Sequence, residues 1–288
     1  MSYSEIRIGG VPEHFNLPWH LACEQDLFRD LGATVRFQEY AGGTGQLSAA
    51  LNADHLDIAV LLLEGAVQQI LKGGDFRIVS LFTKTPLSWG IHVAGTSGIS
   101  TIEQIRGKRY AISRTGSGSH LIAVVDADER GWPLDDLKFV IVDDLAGGRR
   151  ALANGEADVF LWEKFMTKPL VDSGEFRRVG ERIVPWPAFV VAVRNSVLDR
   201  QANLVLEILK TVTRSCQALK ADPAACQVIA QRYQLQFSDA KDWLQETCWN
   251  DELGIPKTDV TKVIEFLIQT KLLKQGDYDI RDIVFDLS

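Results

Sequence analysis

One stretch of this 288-residue chain occurs twice, 101 positions apart and without a gap. Ala50-Leu51 and Asp57-Ile58 in the first copy match Ala151-Leu152 and Asp158-Val159 in the second. Each copy reads as a helix ending in small or polar residues, then an aspartate, then a short apolar strand, Ile58 to Leu62 or Val159 to Trp162. Upstream, Gly32 precedes a strand-like run over 34–40, and Gly131 precedes another over 138–142. A Gly-Gly pair, Gly42-Gly43 or Gly147-Gly148, leads into each repeated helix. A further strand opens each unit, Glu5 to Gly9 or Arg109 to Ser113. Strand, helix, strand, helix, strand, written twice, predicts an α/β chain of two similar lobes. Two like lobes imply a cleft between them, where a ligand would bind.

The helices connect short apolar strands, which predicts doubly wound, mixed sheets. Trp19, Ala22, Cys23, Leu27 and Leu31 share one helical face, so the first helix is expected to run on to a cap at Gly32. The chain then leaves the first lobe through Ser88-Trp89-Gly90-Ile91-His92-Val93. It returns through Pro185-Trp186-Pro187, a stiff extended segment because proline fixes its own φ and restricts its predecessor. Lobe 1 is therefore expected to comprise residues 1–88 and 189–288, and lobe 2 residues 91–185. Two crossings, at about 84–92 and 185–190, would form a two-stranded hinge.

The net charge of −7 lacks the basic character of a nucleic-acid binder. No apolar run approaches the roughly 20 residues that span a bilayer, so membrane insertion is not expected. Cys23, Cys216, Cys226 and Cys248 form neither a C-x-x-C pair nor a His-rich cluster, which predicts four reduced thiols and no metal site. Met1-Ser2-Tyr3-Ser4 runs into the first strand with no basic segment, apolar core or cleavage site. That reads as a cytoplasmic protein; a removed leader would make it periplasmic or secreted instead.

The first loop with its prolines and asparagine, the helix ending Leu27-Phe28-Arg29-Asp30-Leu31-Gly32, and the Gly-Gly after the next strand form an ordered series. Ala-Asp or Leu-Asp before the strand that ends each unit, and Ile105-Arg106-Gly107-Lys108-Arg109-Tyr110 before a Gly-Ser loop, continue it. In this order the motifs resemble the type 2 periplasmic-binding-protein superfamily over about residues 5–195. The likeness is greatest to its substrate-binding proteins for sulfonate, nitrate and hydroxymethylpyrimidine. The resemblance implies two lobes closing on a small molecule of the sulfonate, nitrate, pyrimidine or carboxylate class. If the protein is exported, it also implies an ABC-transporter permease as partner.

Ligands of doubly wound sheets sit beyond the carboxyl ends of the strands. That rule selects residues 10–18, 41–46, 62–65, 113–120 and 162–165, with Trp89 and Trp186 added by the hinge. In the loop Arg114-Thr115-Gly116-Ser117-Gly118-Ser119, small residues let N–H groups approach an anion at a helix start, and Arg114 could clamp it at two points. The same loop is also an ordinary helix cap. Gly43 and Thr44 are its counterpart in lobe 1, or a plain glycine-rich turn. Glu13, His14, Phe15 and Asn16 lie on the first loop, His14 by default as a solvated group. Trp89, Trp162 and Trp186 are either core or stacking surfaces for a planar ligand. Glu64 and Glu163, at equivalent places, are either solvated rim or acceptors for an amine or ring N–H.

No catalytic residues and no cofactor are assigned. Gly116-Ser117-Gly118 falls short of a nucleophile elbow, and the loop lacks the Gly-Lys-Ser/Thr ending of a nucleotide loop. A fungal pyrimidine synthase of the superfamily holds pyridoxal phosphate on a lysine after the repeated strand, where this chain has Leu62-Leu63-Glu64-Gly65. Solute binding by hinge closure is the expectation. Its alternatives are a cytosolic enzyme on the same fold, pyrimidine- or menaquinone-pathway-like, and an effector-sensing domain.

Overall fold

Each copy of the repeat builds one of two interleaved sheets. The computed structural model describes residues 4–287; Met1 to Tyr3 and Ser288 lie outside the described residues. In chain order, the first lobe runs β1 (Ser4–Gly10), α1 (Leu17–Glu24), β2 (Ala33–Glu39), α2 (Gly43–Asn52), β3 (Ile58–Leu62), α3 (Leu63–Leu71) and β4 (Phe76–Leu81). The second contains β5 (Ser88–Ala94), β6 (Arg109–Ile112), α4 (Gly118–Glu129), β7 (Lys138–Ile141), α5 (Leu145–Ala153), β8 (Val159–Glu163), α6 (Lys168–Asp172) and β9 (Phe176–Ile183). β10 (Phe189–Arg194) returns to the first sheet, followed by α7 (Asn195–Ala221), α8 (Ala225–Tyr233), α9 (Phe237–Glu246), α10 (Lys257–Gln269) and α11 (Ile280–Ile283).

The sheet orders are β2-β1-β3-β10-β4 and β7-β6-β8-β5-β9. Four strands of each run in one direction, three of them adjacent and joined by β–α–β connections, while β10 and β5 enter antiparallel. The two entering strands are those that follow the crossings, and each takes an interior place between two others. β3 is buried along its whole length, which accounts for five apolar residues in a row with no alternation. The C-terminal helices cover lobe 1. The Ser215 hydroxyl in α7 donates to the Pro18 carbonyl at 2.8 Å, and α10 packs on α3.

The aspartate of the repeat is a clamp. Asp57 accepts from the Arg7 backbone N–H, Nε and Nη2, each at 2.9 Å, and from Arg194 Nη2 at 3.0 Å. It thereby ties β1 and β10 to the start of β3. Asp158 accepts the same three bonds from Arg109, at 3.0, 3.0 and 2.9 Å, in lobe 2.

One helix is shorter than its spacing predicts. α1 stops at Glu24 because Asp26 turns left-handed at φ 54°. Leu27 N–H then reaches back to the Ala22 carbonyl at 2.9 Å and Asp26 N–H to Cys23 at 3.1 Å, the paired bonds of a Schellman end. Gly32 instead follows a separate 3-10 turn, Arg29–Leu31, at φ 66°.

The two Gly-Gly pairs are not equivalent. Gly43 opens α2 at φ 66°, whereas Gly147 and Gly148 lie inside the first turn of α5. A Cβ on Gly147 would stand 1.7 Å from the Val142 carbonyl oxygen. Gly147→Ala is therefore expected to lower stability by about 3 kcal/mol or more, because backbone must move. Gly155→Ala, left-handed but facing open space, should cost only about 1 kcal/mol. Equal midpoints for the two variants in urea denaturation would contradict the close approach.

Candidate functional site

A cavity of about 300 Å³ opens between the lobes, lined from both. Lobe 1 contributes Val11, Pro12 and Glu13 from the loop after β1, Ala41, Gly43 and Thr44 at the start of α2, Leu62 from β3 and Phe189 from β10. Lobe 2 contributes Trp89 from β5, Asp144, Leu145, Ala146 and Arg149 around the start of α5, and Trp162, Glu163 and Met166 at the end of β8. Most of these walls are apolar. A larger groove of about 770 Å³ lies elsewhere, walled by β4 and the C-terminal segment without lobe 2.

Six of the residues singled out from sequence meet at this cavity: Glu13, Gly43, Thr44, Trp89, Trp162 and Glu163. The loop Arg114 to Ser119 is not among its walls. Its hydroxyls close on their own helix start: Ser117 Oγ accepts from His120 N–H at 3.4 Å, and Ser119 Oγ from Ser113 N–H at 3.0 Å. Gly116 N–H donates to His120 Nδ1 at 3.0 Å, while Thr115 is exposed. Gly118 backs onto Leu62 and Trp89, so the loop buttresses the cavity wall from behind. Arg114 reaches across to α2, where a Cβ on Gly45 would lie 2.2 Å from its Nε. Its Nε and Nη2 are buried without a hydrogen-bond partner.

His14 is not a solvated loop group. It is fully buried against Trp243, with ring centroids 4.2 Å apart, and burial lowers its pKa to about 3. It is therefore neutral, and its 3.5 Å approach to Glu163 is not an ion pair. Phe15 packs on Phe189 and Trp243, and Asn16 Nδ2 donates to the Val11 carbonyl at 2.8 Å, which holds the first loop in shape.

Glu64 and Glu163 are buried rather than on a solvated rim, and they differ. Glu64 lies away from the cavity and accepts from Trp186 Nε1 at 2.9 Å, pinning the return crossing to α3. Trp186 packs on Phe266 of α10, so it anchors the hinge and does not face the cavity. Burial raises the Glu64 carboxyl to about 7. Glu163 faces the cavity and accepts from Met166 N–H at 2.6 Å; burial raises it to about 7 as well. Glu13 is raised to about 8 by burial and by the nearby Glu163.

The segment after β7, with Asp144 and Arg149, was missed in sequence. It stands 101 positions beyond the selected loop 41–46, so the repeat itself carried the signal. Asp144 caps α5, accepting from Gly147 N–H at 2.7 Å, and Arg149 is held by both oxygens of Glu175 at 2.6 and 2.7 Å. Among the described residues, no group of His, Cys, Asp or Glu could hold a metal, and all four cysteines are free.

Two five-stranded mixed sheets, joined by two crossings and facing each other over one cavity, have the two-lobed periplasmic-binding-protein fold of the solved structures on which the chain superposes. Residues 89–182, nearly all of lobe 2, match the family model described as Ca3427-like PBP. The Candida albicans CA3427 gene product, said to define a family with the generic periplasmic binding protein fold, superposes with a TM-score of 0.91. The two are 22% identical, and the match covers 99% of this chain and 97% of that one. The alkanesulfonate-binding protein SsuA from Xanthomonas axonopodis pv. citri, solved bound to MOPS, superposes at 0.83 with 18% identity and 99% of both chains covered. A Bacillus subtilis (strain 168) protein named "Putative aliphatic sulfonates-binding protein" is 24% identical over 217 residues. That match takes in 73% of this chain and spans 64% of the relative's length.

Proposed function

We propose that this protein captures a small organic molecule in the cavity between its lobes and hands it to an ABC importer. The observation that carries the reading is that the cavity takes its walls from both lobes, so a ligand gains its full set of contacts only when they are closed. The binding-protein relatives support the same role. The hinge would comprise the segments at about 84–92 and 185–190, with lobe 2 at 91–185 moving against 1–88 plus 189–288. A working place outside the cytoplasm, rather than the cytoplasmic one expected from sequence, fits the periplasmic aliphatic sulphonate binding protein SsuA from Escherichia coli among the similar structures.

The apolar walls fit an organic body better than nitrate, which would leave most of the space unfilled. Thermal denaturation against neutral, anionic and cationic molecules of roughly 8–20 heavy atoms tests the reading. A ligand at about 100 times its Kd adds about 2.7 kcal/mol, a rise of several degrees in Tm. Ala146 is an exposed wall residue, so Ala146→Trp should fill the cavity, abolish the rise and leave the unliganded Tm unchanged. A rise that survives in Ala146→Trp would move the site elsewhere.

A further inference from the structure

We propose that the cavity is built for an organic cation, a flat amine or amidine whose N–H groups are shared between Glu13 of lobe 1 and Glu163 of lobe 2. The proposal rests on the cavity being the ligand site and adds the chemical class. Both carboxyls line the cavity, and each is more than nine-tenths buried, at 8% and 2% exposure. The Glu13 carboxyl accepts no hydrogen bond from the described residues, and neither carboxyl has a lysine or arginine salt bridge within them. A buried, unpaired acid facing a cavity is costly unless something from outside completes it.

The charge of the walls points the same way. They carry three acids, Glu13, Asp144 and Glu163, against one base, Arg149, whose fork is already filled by Glu175. A sulfonate or carboxylate placed here would find no free cation on the wall, and above about pH 8 it would lie beside two carboxylates. A cation would meet those carboxyls and the rings of Trp89 and Trp162, an aromatic lining that suits positive charge. Because the two acceptors belong to opposite lobes, an N–H group held by both would bridge the cleft and favour its closure.

The empty site holds protons that such a ligand would displace. Glu13 faces Glu163 and is raised to about 8. Glu163 faces neutral His14, with Arg178 and Lys164 nearby, and is raised to about 7. Asp144 and Arg149 are the other charged wall groups. Affinity for a permanent cation should therefore rise with pH from 6 to 8, as protons leave both carboxyls.

Benzamidine and benzenesulfonate, matched in ring and opposite in charge, with neutral benzamide as a third probe, make the test by calorimetry. Benzamidine is expected to bind, to gain about tenfold in affinity between pH 6 and 8, and to release protons on binding. Glu13→Gln keeps the shape and should weaken it about tenfold or more while flattening the pH profile. Benzenesulfonate binding better than benzamidine, in a manner lost in Ala146→Trp, would overturn the cation proposal and leave the cavity as the site. Benzamidine binding that is unchanged in both Glu13→Gln and Glu163→Gln would also overturn it. If no probe and no member of the wider panel binds, both readings fall.

Discussion

Asp57→Ala is expected to lower stability by about 2–3 kcal/mol, a large part of the roughly 5–15 kcal/mol that holds a folded domain together. The carboxylate is 6% exposed and accepts from two guanidiniums and a backbone N–H. Its removal leaves Arg7 and Arg194 beside each other at the meeting of β1, β3 and β10, with only the exposed Asp54 carboxylate, 2.7 and 2.6 Å from them, to balance the two charges. Asp158→Ala should cost about 1–2 kcal/mol, because that side chain is 27% exposed and holds one arginine. Burial pushes the Asp57 pKa up, but the bonds from Arg7 and Arg194 hold it below the usual carboxylate value. Its contribution is therefore present above the unfolded pKa and is lost as pH falls through the folded one. Denaturation of wild type and Asp57→Ala at pH 7 and at pH 3 checks both points. The gap between them should shrink at pH 3, and a gap as wide there would deny the charge its role.

Stability of the unliganded protein should fall by about 2–4 kcal/mol between pH 6.5 and 8.5. Glu13, raised to about 8, and Glu64 and Glu163, each raised to about 7, keep protons in the folded state that the unfolded chain has released. A group whose pKa is raised on folding stabilises the fold while it is protonated, and that stability is lost as pH rises through the folded value. Below about 6.5 the histidines oppose this. Burial lowers His14 and His92 to about 3, so acid favours the unfolded chain, which can protonate them. Two lowered histidines do not cancel three raised carboxyls, so stability rises only slowly below pH 6.5 and its maximum falls at about pH 4.5–5. Glu13→Gln should remove about half of the alkaline fall. A profile that stays level from 6.5 to 8.5 would mean that these carboxyls ionise in place, reached by water.

The lobes were legible in sequence because their signals are local. Five apolar residues in a row at Ile58–Leu62, a glycine after a helix and an aspartate before a strand each reflect burial or chain direction at that point. The end of α1 was not legible, since helical spacing continues to Leu31 while the break depends on Asp26 turning left-handed. The site was half legible. Strand ends pointed to Glu13, Thr44 and Glu163 and the hinge to Trp89, but the glycine-serine loop at 113–119 looks alike whether its hydroxyls face a ligand or cap their own helix. Glu64 and Glu163 occupy matching places in the repeat. Only the partner across the chain, Trp186 for one and open cavity for the other, separates an anchor from a wall.

The interior position of β10 orders events while the chain is being made. β3 and β4 do not pair with each other; β10 lies between them, and its residues leave the ribosome only after the whole of lobe 2. Lobe 2 draws all five of its strands from one unbroken segment, β5 to β9, and can close its sheet first. Lobe 1 must wait with a gap in its middle, two unpaired strand edges exposed. The half that begins the chain is thus the half that finishes folding last, and any holdase that escorts this protein should be found on the edges of β3 and β4.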